Sequence, residues 1–289
     1  MHIMIKNLVI TYIRIHYFFH RRGIIIKGLG YVQKLLKREF VFNAFGKKFY
    51  YNPGIEGSYD YLLIGRSNEP ETQIFLDNTI ARLDSANFID VGASIGEFVF
   101  SVCNYSNVKR IFAFEPRPDC ASVLRKNEEL NGESKISIYE NAVSDNVTEV
   151  VFFQNPGGTS SGLFKIAGEQ KPNIGYKVKT VMLDFVLPII LDNPVILIDV
   201  EGAEPLVLKG ATTFISTNRP LIIFEFNQTS KRHFSLEDIR NILGEGYEIW
   251  RLRGDGTLDM NFANSWNCVA IPQNSKFMEI LGSSKVHLN

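Results

Sequence analysis

The chain has 289 residues, of which 45% are hydrophobic, and its 31 basic and 31 acidic side chains give a formal net charge of zero. This length suffices for one large or two small domains with a buried core, and the zero net charge gives no reason to expect nucleic acid as a partner. The three cysteines are scattered without a CxxC pair, which argues against a disulfide framework or structural zinc and predicts reduced, buried thiols.

Residues 1–50 are interpreted as a basic, apolar-rich accessory segment. Residues 1–38 contain no Asp or Glu, but they hold eight Lys and Arg side chains among many apolar ones. Arg14 interrupts the apolar run and no small-residue cleavage site follows, so a signal peptide fits poorly and a cytoplasmic location is expected. Two interpretations of residues 1–38 stay open: a helix lying on an anionic membrane surface, or a helix packed on the protein core.

Apolar runs and their boundary signals predict the remaining elements. Residues 41–52 alternate as a hairpin does, and Pro70 begins a helix to about Leu83, so residues 51–87 form a lead-in of hairpin and helix. Strands are expected in 87–91, 109–116, 136–144, 149–153, 176–181, 195–200, 220–227, 247–253 and 265–272. Helices are expected in 98–105, 118–132, the start of 181–190, 204–215 and 235–243. Residues 155–162 are either a hairpin tip or a lid over a substrate.

Strands that alternate with helices predict an α/β fold with a doubly wound parallel sheet. The last two strands have no helix between them, so they are expected to pair as an antiparallel C-terminal hairpin. In such folds the ligand lies outside the carboxyl ends of the strands. Four acids follow apolar runs at these ends: Asp90, Glu115, Asp199 and Glu225.

The turn after the first of these strands predicts a ligand that is positively charged. Gly92 and Gly96 permit a tight turn, but their G-x-x-x-G spacing does not match the G-x-G-x-x-G of a pyrophosphate cradle. Asp90 would repel a phosphate and attract an amino group or a sulfonium. Glu115 ends the next strand, where an acid accepts hydrogen bonds from ribose hydroxyls. An adenosine-bearing ligand without a pyrophosphate therefore fits best.

The motifs DVGASIG, FEP, NAVSD, LIDVEGAEPLVLKGA and LIIFEFN, in this order, resemble those of the FkbM-type methyltransferase family, which uses S-adenosylmethionine. The resemblance covers residues 88–272 and implies a methyltransferase domain at 88–273, followed by a tail at 274–289. It implies a seven-stranded Rossmann-like methyltransferase sheet. Ser94 departs mildly from the usual DVGANIG turn of the family.

The resemblance also implies which residues hold the cofactor and what the enzyme methylates. The family mainly methylates hydroxyl oxygens of sugars and natural products, so the expected partner is a glycan or small-molecule acceptor. Glu115 would bind the ribose, and residues 141–143 would lie beside the adenine. The full predicted cofactor set is Asp90, Gly92, Ala93, Ser94, Gly96, Glu115, Pro116, Asn141, Ala142 and Val143.

An alcohol that accepts a methyl group must lose its proton at about the moment of attack. Asp199 is predicted to take that proton directly, or to hold Mg²⁺ together with Glu225 and Asn227. Glu201 is a candidate for catalysis or acceptor contact, and His233 is a candidate base or anion-binding residue. Solvation is the alternative for His233. Glu204 is expected to interact favourably with the positive end of the helix that follows it.

Two other functions stay open at this point. One is a nucleotide-dependent oxidoreductase, against which the missing G-x-G-x-x-G argues. The other is a non-catalytic binding protein that keeps a methyltransferase fold at a membrane surface. The oligomeric state and the identity of the acceptor do not follow from the sequence.

Overall fold

The computed structural model describes residues 2–20, 22, 24, 27–55, 57–154, 161–162 and 174–282. The α-helices in these residues are α1 (His2–His20), α2 (Leu29–Gln33), α3 (Pro70–Ile80), α4 (Glu97–Val102), α5 (Pro118–Asn131), α6 (Leu183–Val186), α7 (Glu204–Lys209), α8 (Thr212–Asn218), α9 (Leu236–Leu243) and α10 (Lys276–Leu281). The strands are β1 (Phe40–Ala44), β2 (Lys47–Tyr51), β3 (Ala86–Val91), β4 (Val108–Phe114), β5 (Ile136–Tyr139), β6 (Ala142–Val143), β7 (Glu149–Gln154), β8 (Ser161–Gly162), β9 (Ile174–Val181), β10 (Pro194–Ile198), β11 (Leu221–Glu225), β12 (Tyr247–Leu252), β13 (Leu258–Asp259) and β14 (Asn267–Pro272).

The central sheet has the order β13-β12-β14-β11-β10-β3-β4-β5. Neighbours from β11 to β5 pair in parallel, whereas β14 lies antiparallel between β11 and β12. The predicted doubly wound sheet with its antiparallel C-terminal pair is therefore confirmed. Seven strands form the predicted sheet, and the two-residue β13 adds an eighth at one edge.

Both faces of the central sheet are covered, and successive strand residues enter two different hydrophobic clusters. Phe88 belongs to the first cluster and Ile89 to the second. The same alternation holds for Leu197 and Ile198 on β10, and all four side chains are buried. This two-sided burial explains why the strands are continuously apolar in the sequence.

The chain reverses its direction of winding between β3 and β10, which are parallel neighbours. From β3 the sheet continues through β4 to β5, and from β10 it continues through β11 to the antiparallel edge. The backbone N–H of Asp199 donates to the carbonyl of Val91 at 2.9 Å, so the carboxyl ends of the two strands lie together. Such a switch point is where ligands bind in open α/β sheets.

A second sheet has the order β6-β9-β7-β8. The predicted long hairpin is confirmed, because β7 and β9 pair antiparallel from Glu149 with Lys179 to Gln154 with Ile174. The single strand predicted at 136–144 is wrong: β5 ends at Tyr139, and β6 leaves the central sheet to pair with β9. Of the predicted lid or hairpin tip, residues 155–160 lie outside the described residues.

The helix predicted at 204–215 is also wrong in its length, because it is divided into α7 and α8 at Gly210. A Cβ atom at Gly210 would lie 2.0 Å from the carbonyl oxygen of Ser144. The chain that leaves β6 thus passes so close to the backbone that only glycine fits there.

The N-terminal region packs against the part of the chain that forms the central sheet. Val9 and Ile13 of α1 are buried in the first hydrophobic cluster. The β1–β2 hairpin is fixed to α5, because Asn127 and Asn131 accept hydrogen bonds from backbone N–H groups of β2. The segment predicted as a tail contains α10, whose apolar face joins the same cluster.

Within the described ranges, no helix is long and apolar enough to cross a lipid bilayer.

The prediction of reduced, buried thiols is confirmed, since all three cysteines are buried and unpaired.

Candidate active site

A cavity of about 380 Å³ lies at the switch point, outside the carboxyl ends of β3, β4, β10 and β11. Among the described residues it is lined by eight acids and by the cation Arg117, which pairs with Asp119. The acids are Asp60, Glu69, Asp90, Glu97, Glu115, Asp199, Glu201 and Glu225. The four strand-end acids singled out in the sequence therefore meet in one cavity.

The turn between β3 and α4 directs its backbone donors towards β4. The N–H groups of Gly92 and Ala93 both donate to the carbonyl of Phe114, at 2.9 and 3.0 Å. The N–H of Ser94 donates to Glu115 at 2.7 Å. These donors are satisfied within the protein, so the turn does not offer the ring of free N–H groups that holds a pyrophosphate.

Gly92 is required because the ends of β3 and β10 touch. Its φ is +97°, and a Cβ atom there would lie 1.9 Å from the carbonyl oxygen of Asp199. Ser94 also has a positive φ, of 49°. Asparagine tolerates that conformation better than serine does, which gives a physical reason for the Asn that is usual at this position in the family pattern.

Asp90 lies at the bottom of the cavity with a carboxylate oxygen that is not hydrogen-bonded. It is 2% exposed, and its Oδ2 has no partner among the described residues. Burial, and then the charge of Glu115, raise the pKa of Asp90 well above its ordinary value. A buried and unsatisfied acceptor in an acidic cavity favours a cationic ligand.

Glu115 joins the glycine-bearing turn to the end of β4. Its two carboxylate oxygens accept from the N–H groups of Ser94 and Arg117, each at 2.7 Å. Burial is the main cause that raises the pKa of Glu115 to about 7. Pro116 lines the cavity beside it. Each oxygen of Glu115 keeps a lone pair, so the carboxylate can still accept from a ribose.

Asp199 and Glu201 follow β10, the direct neighbour of β3, and also line the cavity. Burial, followed by the charge of Glu225, raises the pKa of Asp199 well above its ordinary value. Glu201 has a φ of 55° and is followed by Gly202 at 102°, so this turn is held in an uncommon conformation. Such strain is found most often at functional sites.

Glu204 lies in the first turn of α7, as predicted, and it also supports the turn that precedes this helix. Its Oε1 accepts from the backbone N–H groups of Val200 and Gly202, at 3.2 and 3.3 Å. These residues precede α7, so the carboxylate holds the turn that carries Glu201. Burial raises the pKa of Glu204 to about 7.

Glu225 ends β11 and is bonded to side chains of the next loop. Its Oε2 accepts from the hydroxyl of Ser230 at 3.1 Å, and its Oε1 accepts from the amide of Asn227. Burial, and then the charges of Glu201 and Glu204, raise its pKa to about 9. This is the chemistry of a buried carboxyl that holds a proton near neutral pH.

The predicted Mg²⁺ set of Asp199, Glu225 and Asn227 does not fit the observed geometry. The amide oxygen of Asn227 accepts from the N–H groups of Thr229 and Ser230, at 2.7 and 3.1 Å. Its nitrogen, which cannot bind a cation, is the atom that faces Glu225. No group of three or more His, Cys, Asp or Glu suited to a metal ion occurs in the described part of the chain.

His233 is exposed and does not line the cavity. Its ring packs on the turn that carries Glu201, because a Cβ atom at Gly202 would lie 2.5 Å from the imidazole Cδ2. A catalytic or anion-binding role for His233 stays a prediction.

A small apolar recess adjoins the main cavity and shares Gly92, Pro116 and Phe152 with it. All three members of the predicted adenine segment, Asn141, Ala142 and Val143, line this recess. Phe152 of β7 and Ala203 also line this recess, whose volume is about 20 Å³. Sequence reasoning missed Phe152, since nothing distinguishes it from other apolar residues of its strand.

A further group of residues that line the cavity is not signalled by the sequence. Asn267 of β14 donates to Glu69 and to Thr72, at 2.7 and 2.8 Å. Burial is the main cause that raises the pKa of Glu69, and the same cause raises that of Glu97 to about 7. Glu69 directly precedes α3, and no sequence signal shows that its side chain enters the cavity.

S-adenosylmethionine carries a sulfonium, an amino group and an adenosine, and the chemistry of the cavity is compatible with this charge and these polar groups. Asp90 would offer an unsatisfied carboxylate oxygen to the cationic part, Glu115 would accept from the ribose, and residues 141–143 line the adjoining recess. When bound, the cofactor would supply a methyl group on a positively charged sulfur. Gly96 and Ala93 keep the turn compact beneath it.

The FkbM methyltransferase domain matches residues 90–251, which are 162 of the 289 residues of the chain. Methyltransferase FkbM from Methylobacillus flagellatus KT is a similar solved structure, with 21% identity and a TM-score of 0.44 over 65% of this chain and 43% of that one. TYW2 from M. jannaschii, solved in complex with AdoMet, has 13% identity and a TM-score of 0.42 over 80% of this chain and 84% of that one.

Precorrin-6y C5,15-methyltransferase from Geobacter metallireducens has 15% identity and a TM-score of 0.41 over 72% of this chain and 89% of that one. No curated protein matches the chain. The family match removes the alternative of a nucleotide-dependent oxidoreductase, in agreement with the satisfied N–H groups of the glycine-bearing turn. The chain belongs to the FkbM methyltransferase family and is an S-adenosylmethionine-dependent methyltransferase.

Proposed function

We propose that the enzyme methylates a hydroxyl oxygen of a sugar or glycoconjugate. The observation that carries this proposal is the arrangement of Asp199, Glu201 and Glu225 at one end of the cavity, beside a polar groove that begins at Trp266. Asp199 supplies a candidate proton acceptor for an alcohol, Glu201 and Glu225 supply polar contacts beside it, and the groove supplies contacts for the rest of the acceptor.

The strand-end carboxylates favour an alcohol over an acceptor that is already a strong nucleophile. A hydroxyl must lose its proton during methyl transfer, and a base is most effective when its pKa lies near the working pH. Burial and neighbouring charge raise the pKa of Asp199 above its ordinary value, which makes its carboxylate a stronger base than one in water. Asp199 is our candidate for the proton acceptor, and Glu201 is placed to contact the acceptor beside it.

Trp266 favours a sugar as the acceptor. It is 53% exposed and lines both the cavity and an adjoining groove of about 480 Å³. Arg253, Asn261 and Asn264 also line this groove. An exposed aromatic face next to planar polar side chains offers both stacking and hydrogen bonds to a ring that carries hydroxyl groups.

The proposal is tested by methyl transfer from labelled S-adenosylmethionine to oligosaccharide, glycolipid and small-phenol fractions, followed by acid hydrolysis and mass spectrometry. We expect the label to be recovered as an O-methyl sugar. Recovery on nitrogen, or only in the phenol fraction, would reject the sugar hydroxyl as the acceptor.

Asp199→Asn tests the proposed proton acceptor in the same assay. We expect turnover to fall roughly 10²- to 10⁴-fold, with little change in cofactor affinity. Asp192→Asn is the matched control, because Asp192 is exposed just before the opposite end of β10. Unchanged turnover in Asp199→Asn would remove this residue from the mechanism.

A further inference from the structure

The outward face of α1 exposes four large apolar side chains beside the polar Asn7 and Thr11, although the inward face of the helix already packs on the core. Met4, Leu8, Ile15 and Phe18 are between 49% and 70% exposed, whereas Val9 and Ile13 are buried. The spacings of four, seven and three residues put the exposed side chains on one side of the helix. A row of large apolar side chains exposed to water on one helix face is a mark of an interaction surface. We call these four residues the α1 stripe.

A basic groove of about 380 Å³ adjoins the α1 stripe. It is lined by Arg14, Arg22 and Arg66 together with Tyr17, Phe18 and Ile64. Phe18 therefore belongs to both features. Neither Arg14 nor Arg66 has an acidic partner among the described residues, and Arg22 lies over the Phe18 ring with its guanidinium carbon 3.6 Å from the ring centroid.

We infer that the α1 stripe and the basic groove together bind an anionic lipid membrane, with a lipid phosphate in the groove. Guanidinium groups bind phosphate through paired hydrogen bonds. The adjacent apolar side chains enter the interface between headgroups and acyl chains, as in amphipathic helices that lie on a membrane. This site is separate from the cavity that holds the cofactor.

Charge is the reason to choose a membrane and not a second copy of the chain as the occupant. Residues 1–38 contain no acid, so two copies that meet through α1 would bring like charges together around the stripe. An anionic leaflet complements the same charges, and each basic side chain near such a surface contributes attraction that salt weakens.

The test is co-sedimentation of the full chain with vesicles of phosphatidylcholine, and of an equimolar mixture with phosphatidylglycerol. We expect binding to the anionic vesicles only, and weaker binding at high salt. The double variant Arg14→Gln with Arg66→Gln should weaken binding about 25-fold, because the loss of each basic side chain weakens vesicle affinity about fivefold. Leu8→Ser with Phe18→Ser should weaken it at least tenfold, because two large apolar side chains no longer enter the interface.

Matched controls separate the proposed site from general effects of charge and hydrophobicity. Lys109→Gln with Arg110→Gln removes two exposed positive charges elsewhere, and Ile189→Ser with Ile190→Ser removes two exposed apolar side chains. Both controls should bind vesicles as the parent does, and calorimetric titration with S-adenosylmethionine verifies that each variant is folded. The proposal would be overturned by an equal loss of vesicle binding in the controls, or by a parent protein that does not bind vesicles. It would also be overturned if the parent forms a dimer and Leu8→Ser with Phe18→Ser dissociates that dimer.

Discussion

Glu225→Gln is expected to stabilise the folded protein, and to do so more strongly as the pH rises. The glutamine keeps both hydrogen bonds, because its oxygen can accept from Asn227 and its nitrogen can donate to the hydroxyl of Ser230. The hydroxyl proton can then turn to the amide oxygen of Asn227, which lies 3.3 Å away. The substitution therefore removes an ionisable group without leaving a buried donor or acceptor unpaired.

The magnitude follows from the raised pKa of Glu225. The unfolded chain releases this proton near pH 4.5, whereas the folded protein holds it to about pH 9. A raised carboxyl pKa disfavours folding at every pH above the unfolded value, by about 1.4 kcal/mol for each pH unit until the folded value is reached. At about pH 7 the cost is about 3 kcal/mol, and the glutamine variant lacks it.

Denaturant unfolding of the parent and Glu225→Gln at about pH 5 and about pH 7 measures this difference. We expect a gain of about 0.7 kcal/mol for the variant at the lower pH and of about 3 kcal/mol at the higher pH. Glu140→Gln, at an exposed site, should show no such trend. A variant that is less stable, or a difference that does not change with pH, would refute the reasoning about the buried carboxylates.

Two further outcomes follow from the geometry of the cavity. Gly92→Ala should destabilise the fold by about 3 kcal/mol or more in thermal unfolding, because its Cβ would overlap the carbonyl oxygen of Asp199. Gly132 also has a positive φ, but a Cβ atom there meets open space, so Gly132→Ala should lower the free energy of unfolding by only about 1 kcal/mol. Equal losses of stability in the two variants would contradict the close contact at Gly92. The affinity for S-adenosylmethionine should rise with pH through about 7, since a cation favours the ionised forms of Glu97 and Glu115. A flat calorimetric profile across that range would contradict it.

The class of sheet and the edge at which its ligand binds could be predicted from the sequence because they depend on local signals. Each apolar run ends in an acid or a glycine-bearing turn, and parallel strands put these ends along one edge of the sheet. Asp90, Glu115, Asp199 and Glu225 therefore meet as expected, although they are far apart in the chain. The antiparallel pair at the C-terminus followed from the missing helix between its strands.

The parts that could not be predicted depend on contacts between distant segments. Gly210 divides the expected helix because the backbone at Ser144 passes beside it, and no local pattern carries that information. Glu69 enters the cavity through a hydrogen bond from Asn267, nearly two hundred residues away. Asn227 differs, because local contacts remove it from the expected metal set: its amide oxygen accepts from the N–H groups of Thr229 and Ser230 in its own loop.

The central claim is that buried carboxylates at the strand ends bind a positively charged methyl donor. Calorimetric titration of S-adenosylmethionine into the parent, Asp90→Asn and the exposed control Asp84→Asn tests it most directly. We expect Asp90→Asn to weaken binding roughly ten- to a hundredfold, the range for a lost hydrogen bond to a charged group, with the control unchanged. Equal affinity in all three proteins would contradict the account.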